Sequence, residues 1–208
     1  LLPDGTRVTG TVSRCGGGTD PGPLRLQYSR FKPKYLASAA IDLLLLTAAQ
    51  PEVAWRGVVI TRGESKNLAP KVWVRTVSGN DASARRATAL RALEVLVTQY
   101  RDGACYPLPL FNATSYALIN GANRTSTSRS AARKAWGDLV KNDFSWSKEC
   151  FDLYHQLVFG PIHFDDLEAA VLGGHTLQGE ADRLWGTLDA ALVEVLPEDT
   201  TPPQGDRR

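Results

Sequence analysis

The chain contains no methionine and only three cysteines. Cys15, Cys105 and Cys150 are far apart and odd in number. That excludes a disulfide framework and a paired-cysteine zinc pattern, and it fits a reducing, cytoplasmic interior. Charge of one sign is also scarce. Lys and Arg number 24 against 22 Asp and Glu, so the net charge of +2 is too small by itself to argue for nucleic acid. Long apolar runs are lacking too. The stretch from Leu36 to Ala49 contains Asp42 and falls short of the roughly 20 apolar residues that span a bilayer, so no membrane partner is expected. The opening residues, Leu1-Leu2-Pro3-Asp4-Gly5, do not read as a signal peptide. With no methionine anywhere, they read as the interior of a longer chain, and a fragment of a longer polypeptide is expected. H-E-x-x-H and G-x-S-x-G are absent. Gly16-Gly17-Gly18 lacks the lysine and hydroxyl of a phosphate loop, and the segment from Gly63 to Lys66 has the wrong spacing, so neither a nucleotide nor any other cofactor is expected. The triplets Asn112-Ala-Thr and Asn123-Arg-Thr match a glycosylation acceptor by chance, since nothing else points to secretion.

What the chain does have is a succession of strand and helix signals. Arg7-Val-Thr-Gly-Thr-Val-Ser-Arg14 is rich in β-branched residues and predicts a first strand. Glycines 16–18 and Asp20-Pro21-Gly22-Pro23 then make a turn. Leu24, Leu26 and Tyr28 alternate with polar neighbours and predict a second strand, forming a hairpin with the first. Arg30, Lys32 and Lys34 form a basic turn around Pro33. From there to Ala49, Lys34, Ser38 and Asp42 recur every four residues, one narrow polar stripe on an otherwise buried helix. Residues 53–61 predict a third strand centred on Val58-Val59-Ile60. If it shares a sheet with the second, the crossover through the helix should be right-handed. In residues 71–77, Val72, Val74 and Thr76 face one way, and Trp73, Arg75 and Val77 the other, which predicts a fourth strand.

Asn80 or Ser83 is expected to cap the next helix, with Asp81 in its first turn and Gly103 just past its end. Further helices are expected over residues 113–119, 127–140 and 147–159. A last one carries Leu177, Ala181, Leu184, Leu188, Ala191, Leu192 and Val195 on one side. About four strands followed by helices place the chain in the α/β (α+β) class. The expected organisation is a core over 1–112, a helical elaboration of the same domain over 113–196, and a disordered tail over 197–208.

Three groups of residues could carry chemistry. His163-Phe-Asp165-Asp166 resembles a metal cluster, but Asp165 or Asp166 before an apolar stretch is more simply a helix cap. His155 and His175 lack partners at ligand spacing. Two basic clusters remain. One is Arg14, Arg25, Arg30, Lys32 and Lys34; the other is Arg124, Arg129, Arg133, Lys134 and Lys141, with Trp136, Phe144 and Trp146 nearby. Cations beside aromatics could follow a nucleic-acid backbone and stack bases; a solvated surface over core aromatics explains them equally well.

Gly10-Thr-Val-Ser13-Arg14 resembles the G-x-I-D-R strand of restriction-endonuclease-like, RecB-type nucleases, with Ser13 at the aspartate position. Gln27-Tyr28-Ser29 resembles their D-Y-K strand, with Gln27 and Ser29 at the acid and lysine positions. A hydroxyl and an amide cannot supply the charge that a Mg²⁺ site needs. The turn Leu26-Gln-Tyr-Ser-Arg-Phe-Lys-Pro-Lys34, the stretch Val58-Val-Ile-Thr-Arg-Gly63, Arg101-Asp-Gly103 and Pro107-Leu-Pro109 together resemble the C-terminal domains of exodeoxyribonuclease V gamma chains, the RecC family. The resemblance implies a degenerate nuclease fold with no catalytic residue and no metal. It implies a heterotrimer with a RecB-like beta chain and a RecD-like alpha chain, acting on DNA ends and single-stranded DNA in recombinational repair. Contacts to DNA or a partner are then expected from Arg14, Tyr28, Arg30, Lys32, Lys34, Arg129, Arg133 and Lys134. The rivals are an active nuclease whose ligands migrated to Asp20, Asp42 or Glu64, and a pure protein-interaction domain.

Overall fold

A computed structural model describes residues 1–13, 15–16, 21–63, 69–121, 127–137 and 148–195. Its sheet takes five strands in chain order: β1 (Cys15–Gly16), β2 (Gly22–Arg30), β3 (Gly57–Arg62), β4 (Lys71–Val77) and β5 (Leu192–Glu194). β2 and β3 run parallel, and every other neighbouring pair is antiparallel. A parallel pair needs a crossover, and helix α1 (Pro33–Ala49) supplies it. The fold is the mixed α/β class expected.

Local chemistry explains the crossover. Pro33 opens α1, where its fixed φ suits a helix and its missing N–H costs nothing. Ala39, Ala40, Leu43, Leu44 and Thr47 turn inward and are buried. Gly57 lies beneath them; an added Cβ would stand 3.3 Å from a Leu43 methyl. Gly22, where β2 begins, is tighter: a Cβ there would fall 1.9 Å from the Arg56 carbonyl oxygen. Only glycine lets these two backbones approach.

Helix α2 (Ala82–Cys105) packs beside α1. Its cap is Asp81, whose carboxylate accepts from the Ala84 amide at 2.7 Å; neither Asn80 nor Ser83 takes that place. Gly103 lies inside the helix, which runs two residues past it to Cys105. Helices α3 (Asn112–Asn120), α4 (Ser128–Trp136), α5 (Leu153–Phe159) and α6 (Phe164–Ala169) follow, with a 3₁₀ turn at Glu149–Phe151. Then α7 (Leu177–Ala181), a π-helical turn (Asp182–Gly186) and α8 (Thr187–Ala191) run on with helical backbone at each junction.

Two hydrophobic cores result. The first joins Leu43 and Leu44 of α1, Val77 of β4, and Ala89, Ala92 and Leu93 of α2 to Trp185, Leu188 and Ala191. The second gathers Phe111, Leu118, Ala132, Trp136, Phe164, Leu167 and Leu177 among the later helices.

Two larger sequence expectations also fail, each for a physical reason. Residues 7–13 form no strand, and the two residues of β1 pair only with Gly22 and Pro23. The N-terminal run lies on the helical layer instead. Leu2 is buried in the first core with Val8 against it, and Arg101 of α2 holds Asp4 at 3.1 Å and Thr6 at 2.6 Å. β-branched residues favour a strand only where a partner edge is offered. The final helix also ends early. It stops at Ala191, and Leu192 pairs with Val77 as the first residue of β5. A short apolar run satisfies either period, and here the open edge of β4 decided it.

Candidate functional site

β2 carries two unlike faces. Arg25, Gln27 and Ser29 turn toward α1, while Leu24, Leu26, Tyr28 and Arg30 turn away and are exposed. Arg25 forms an ion pair with Asp42 of α1, and both are largely covered. The Ser29 hydroxyl lies 2.9 Å from the Tyr35 hydroxyl. Gln27 stands opposite Thr61 of β3, after which the register shifts so that Arg30 meets Arg62. The Gln27-Tyr28-Ser29 triplet therefore sits at an irregularity, a place where strands commonly re-aim side chains. Ser13 is exposed and belongs to no strand, so it does not join Gln27 and Ser29 on a paired hairpin. Arg14 lies outside the described residues.

The basic turn is open. Arg30, Lys32 and Lys34 are all exposed, and Arg30 and Lys32 make no ion pair among the described residues. Lys34 places its ammonium 5.7 Å from the centre of the Tyr35 ring. Lys32 is the N-cap of α1 but caps nothing through its side chain, and no acidic residue stands in the first turn. The positive end of the helix thus adds to the lysines rather than being offset. Phe31 anchors the turn, with its ring 4.5 Å from Trp73 and 5.6 Å from Tyr116. Burial pushes the Tyr116 hydroxyl pKa up, reinforced by Asp189.

The second cluster is closed. Arg129 donates from Nε to Glu168 at 2.8 and 3.0 Å and from Nη2 to Asp165 at 2.6 Å, and Arg133 also binds Asp165. The Arg133 hydrogen bond is the chief reason that the Asp165 carboxyl lies below its ordinary range, and the bond to Glu168 raises Arg129. Both guanidinium groups lie against Phe164, at 5.9 and 5.2 Å from its centre. Asp165 and Asp166 do not cap α6. His163 holds that position without a side-chain bond, and Asp165 is spent tying α6 to α4. Lys134 is exposed, and its carbonyl accepts from Lys148. Trp136 is buried core, with its indole N–H donating to the Ile162 carbonyl at 3.1 Å. Arg124, Lys141, Phe144 and Trp146 lie outside the described residues, as do Asp20 and Glu64.

Sequence reasoning missed one polar network. The buried Glu180 carboxylate accepts from Gln99 at 2.7 Å, meets His175 Nδ1 at 2.8 Å, and accepts from Arg183 at 3.1 Å. Arg183 also reaches Asp102 at 2.7 Å. Burial alone would raise the Glu180 pKa, but the bonds from Gln99, His175 and Arg183 outweigh it and hold it low. No local motif joins residues 81 positions apart. Among the described residues no group of three or more His, Cys, Asp or Glu could hold a metal ion. No helix among them is long and apolar enough to cross a membrane.

The RecC C-terminal domain family matches residues 2–123, more than half of the chain. This chain belongs to that family. The RecC C-terminal domain match takes in β2, the basic turn and α1, and it stops before Arg129. The subunit RecC of the RecBCD enzyme from two strains of Mycobacterium tuberculosis is 29% identical over 193 residues. That alignment covers 92% of this chain but 16% of each relative. No solved structure matches the chain.

Proposed function

We propose that this chain is a non-catalytic, nuclease-like domain of a RecC-type subunit, serving assembly and DNA handling in a RecBCD-type helicase–nuclease. The supporting observation is the state of β2. Where a RecB-type nuclease would place an acid and a lysine, this chain has Gln27 and Ser29, and Ser29 is engaged by Tyr35. Asp42, which a migrated metal site would need, is held by Arg25. An ion-paired carboxylate is a poor starting point for Mg²⁺, which wants several free oxygen ligands. The subunit would work with RecB-like and RecD-like chains on DNA ends in the cytoplasm.

Within that reading the basic turn is the part directed at DNA. Lys32 and Lys34 flank the N-terminus of α1, where backbone N–H groups and ammonium groups favour the same anion. Arg30 and Tyr28 lie on the exposed face of β2 and are partner contacts rather than DNA contacts. Arg129, Arg133 and Lys134 form a secondary contact, limited by the carboxylates that already meet the two arginines. The decisive measurement is cleavage of single- and double-stranded DNA by the purified chain in Mg²⁺ and in Mn²⁺, with circular dichroism to show that it is folded. No chelator-sensitive cleavage is expected. Robust cleavage abolished by chelation would sink the non-catalytic reading and favour migrated ligands.

A further inference from the structure

Helices α1 and α2 pack on the sheet face that carries Val59 and Val77. On the opposite face Leu24 is 37%, Leu26 63% and Tyr28 94% exposed, joined by Val72 at 53% and Val193 at 48%. The patch is continuous by register: Leu26 lies opposite Ile60, and Ile60 opposite Val72. Contiguous apolar exposure of this kind, unlike singly scattered apolar residues, marks an interaction surface.

We propose that this face seats an amphipathic helix supplied by the RecC-type polypeptide outside the 193 matched residues. Its apolar stripe lies over Leu26, Ile60 and Val72, and its carboxylates over Arg30 and Arg62. The inference rests on the reading that the chain is a domain of a RecC-type subunit.

Four observations carry it. First, β2 and β3 are parallel, and near-continuous apolar runs are the mark of parallel strands buried on both faces. Val58-Val59-Ile60 has the unbroken apolar character of such a strand, yet only Val59 is buried. Second, Arg30 and Arg62 are direct cross-strand partners, and both are exposed. Like charges opposite each other repel, and a carboxylate laid across them removes the cost. Third, the patch is aliphatic apart from Tyr28. Stacking of bases needs a row of aromatic faces, so a nucleic acid fits less well than a protein element. Fourth, the matched region is 16% of each relative, so most of such a polypeptide lies outside it. A tethered helix also binds at a high effective concentration.

The test uses the full-length polypeptide in its native complex, with Tyr28 replaced by the photo-crosslinking residue p-benzoylphenylalanine. Irradiation followed by peptide mass spectrometry should give an intramolecular adduct to an acid-bearing helical segment outside the matched region. Leu26→Asp and Val72→Asp should lower its yield about tenfold, and Arg62→Glu should lower it several-fold, while circular dichroism stays unchanged. An adduct to another subunit, to a second copy or to DNA overturns the proposal, as does the absence of any adduct. An adduct to a helicase subunit would overturn it yet leave the RecC reading intact. A polypeptide that co-purifies with no helicase chain would undercut that reading itself.

Discussion

The turn around Pro33 and helix α4 each carry three cations in sequence, yet the fold treats their charges in opposite ways. Arg129 and Arg133 meet Asp165 and Glu168 and lie on Phe164, so their charge is answered within the chain. Arg30 and Lys32 meet no carboxylate among the described residues, and the end of α1 adds further positive potential. The same contrast runs through the packing. The later helices enclose Trp136 and Phe164, whereas β2 and β4 leave an apolar face bare. One region is finished by its own residues. The other stays open among the described residues, and cationic residues point to a partner only where no described carboxylate already answers them.

The sharpest way to break this comparison is to cut the closed region. Trp136→Ala should cost about 3–5 kcal/mol, as loss of a buried aromatic side chain usually does. Thermal unfolding of the chain reads it, while Tyr28→Ala on the open face should leave the melting temperature nearly unchanged. A Tyr28→Ala cost as large would show that the sheet face is already covered.

Glu180→Ala should cost about 2 kcal/mol by leaving Gln99 and Arg183 short of an acceptor. The effect depends on pH with a definite sign. Glu180 titrates below its ordinary value of 4.5 in the fold, so near that pH the unfolded chain binds more protons than the folded one. Its contribution is therefore complete above about 4.5. It fades as pH falls through the lower folded value. Wild type and Glu180→Ala should converge in acid urea titrations; a constant gap down to about pH 3 would contradict the network.

Asp81→Ala should cost about 1 kcal/mol, the usual worth of an N-cap, and it measures how far α2 depends on local rather than tertiary support. The smallest effect on stability, and the most informative, comes from charge reversal. Lys32→Glu with Lys34→Glu should not lower the melting temperature, since acids suit the positive end of α1, while weakening single-stranded DNA binding several-fold at low salt. The salt slope should fall by roughly one for each phosphate that is no longer neutralised. Arg129→Glu should change that slope little. Equal slopes for both variants would erase the distinction between the two clusters.

Much of the architecture was legible from residues alone. Pro33 at the start of α1 and the alternation in β4 placed those elements with the bounds observed, because proline and a period of two act locally. β1 and β5 were not legible. Residues 7–13 have the composition of a strand but pack on α2, and Leu192 has helical spacing but takes the free edge of β4. Gln27 and Ser29 were readable as residue types, but the engagement of Ser29 by Tyr35 and of Asp42 by Arg25 was not.

By itself, then, the amino-acid order determined the mixed α/β class, the buried crossover helix, the basic turn that follows β2, and the presence of Gln27 and Ser29 on that strand. These depend on side-chain identity and on short-range periodicity. Only the tertiary structure decided which cations are already answered, which face of β2 is bare, and that Glu180 bridges α2 to the last helix. Those outcomes depend on pairings across tens of residues, and no local pattern encodes where a charge will find its partner.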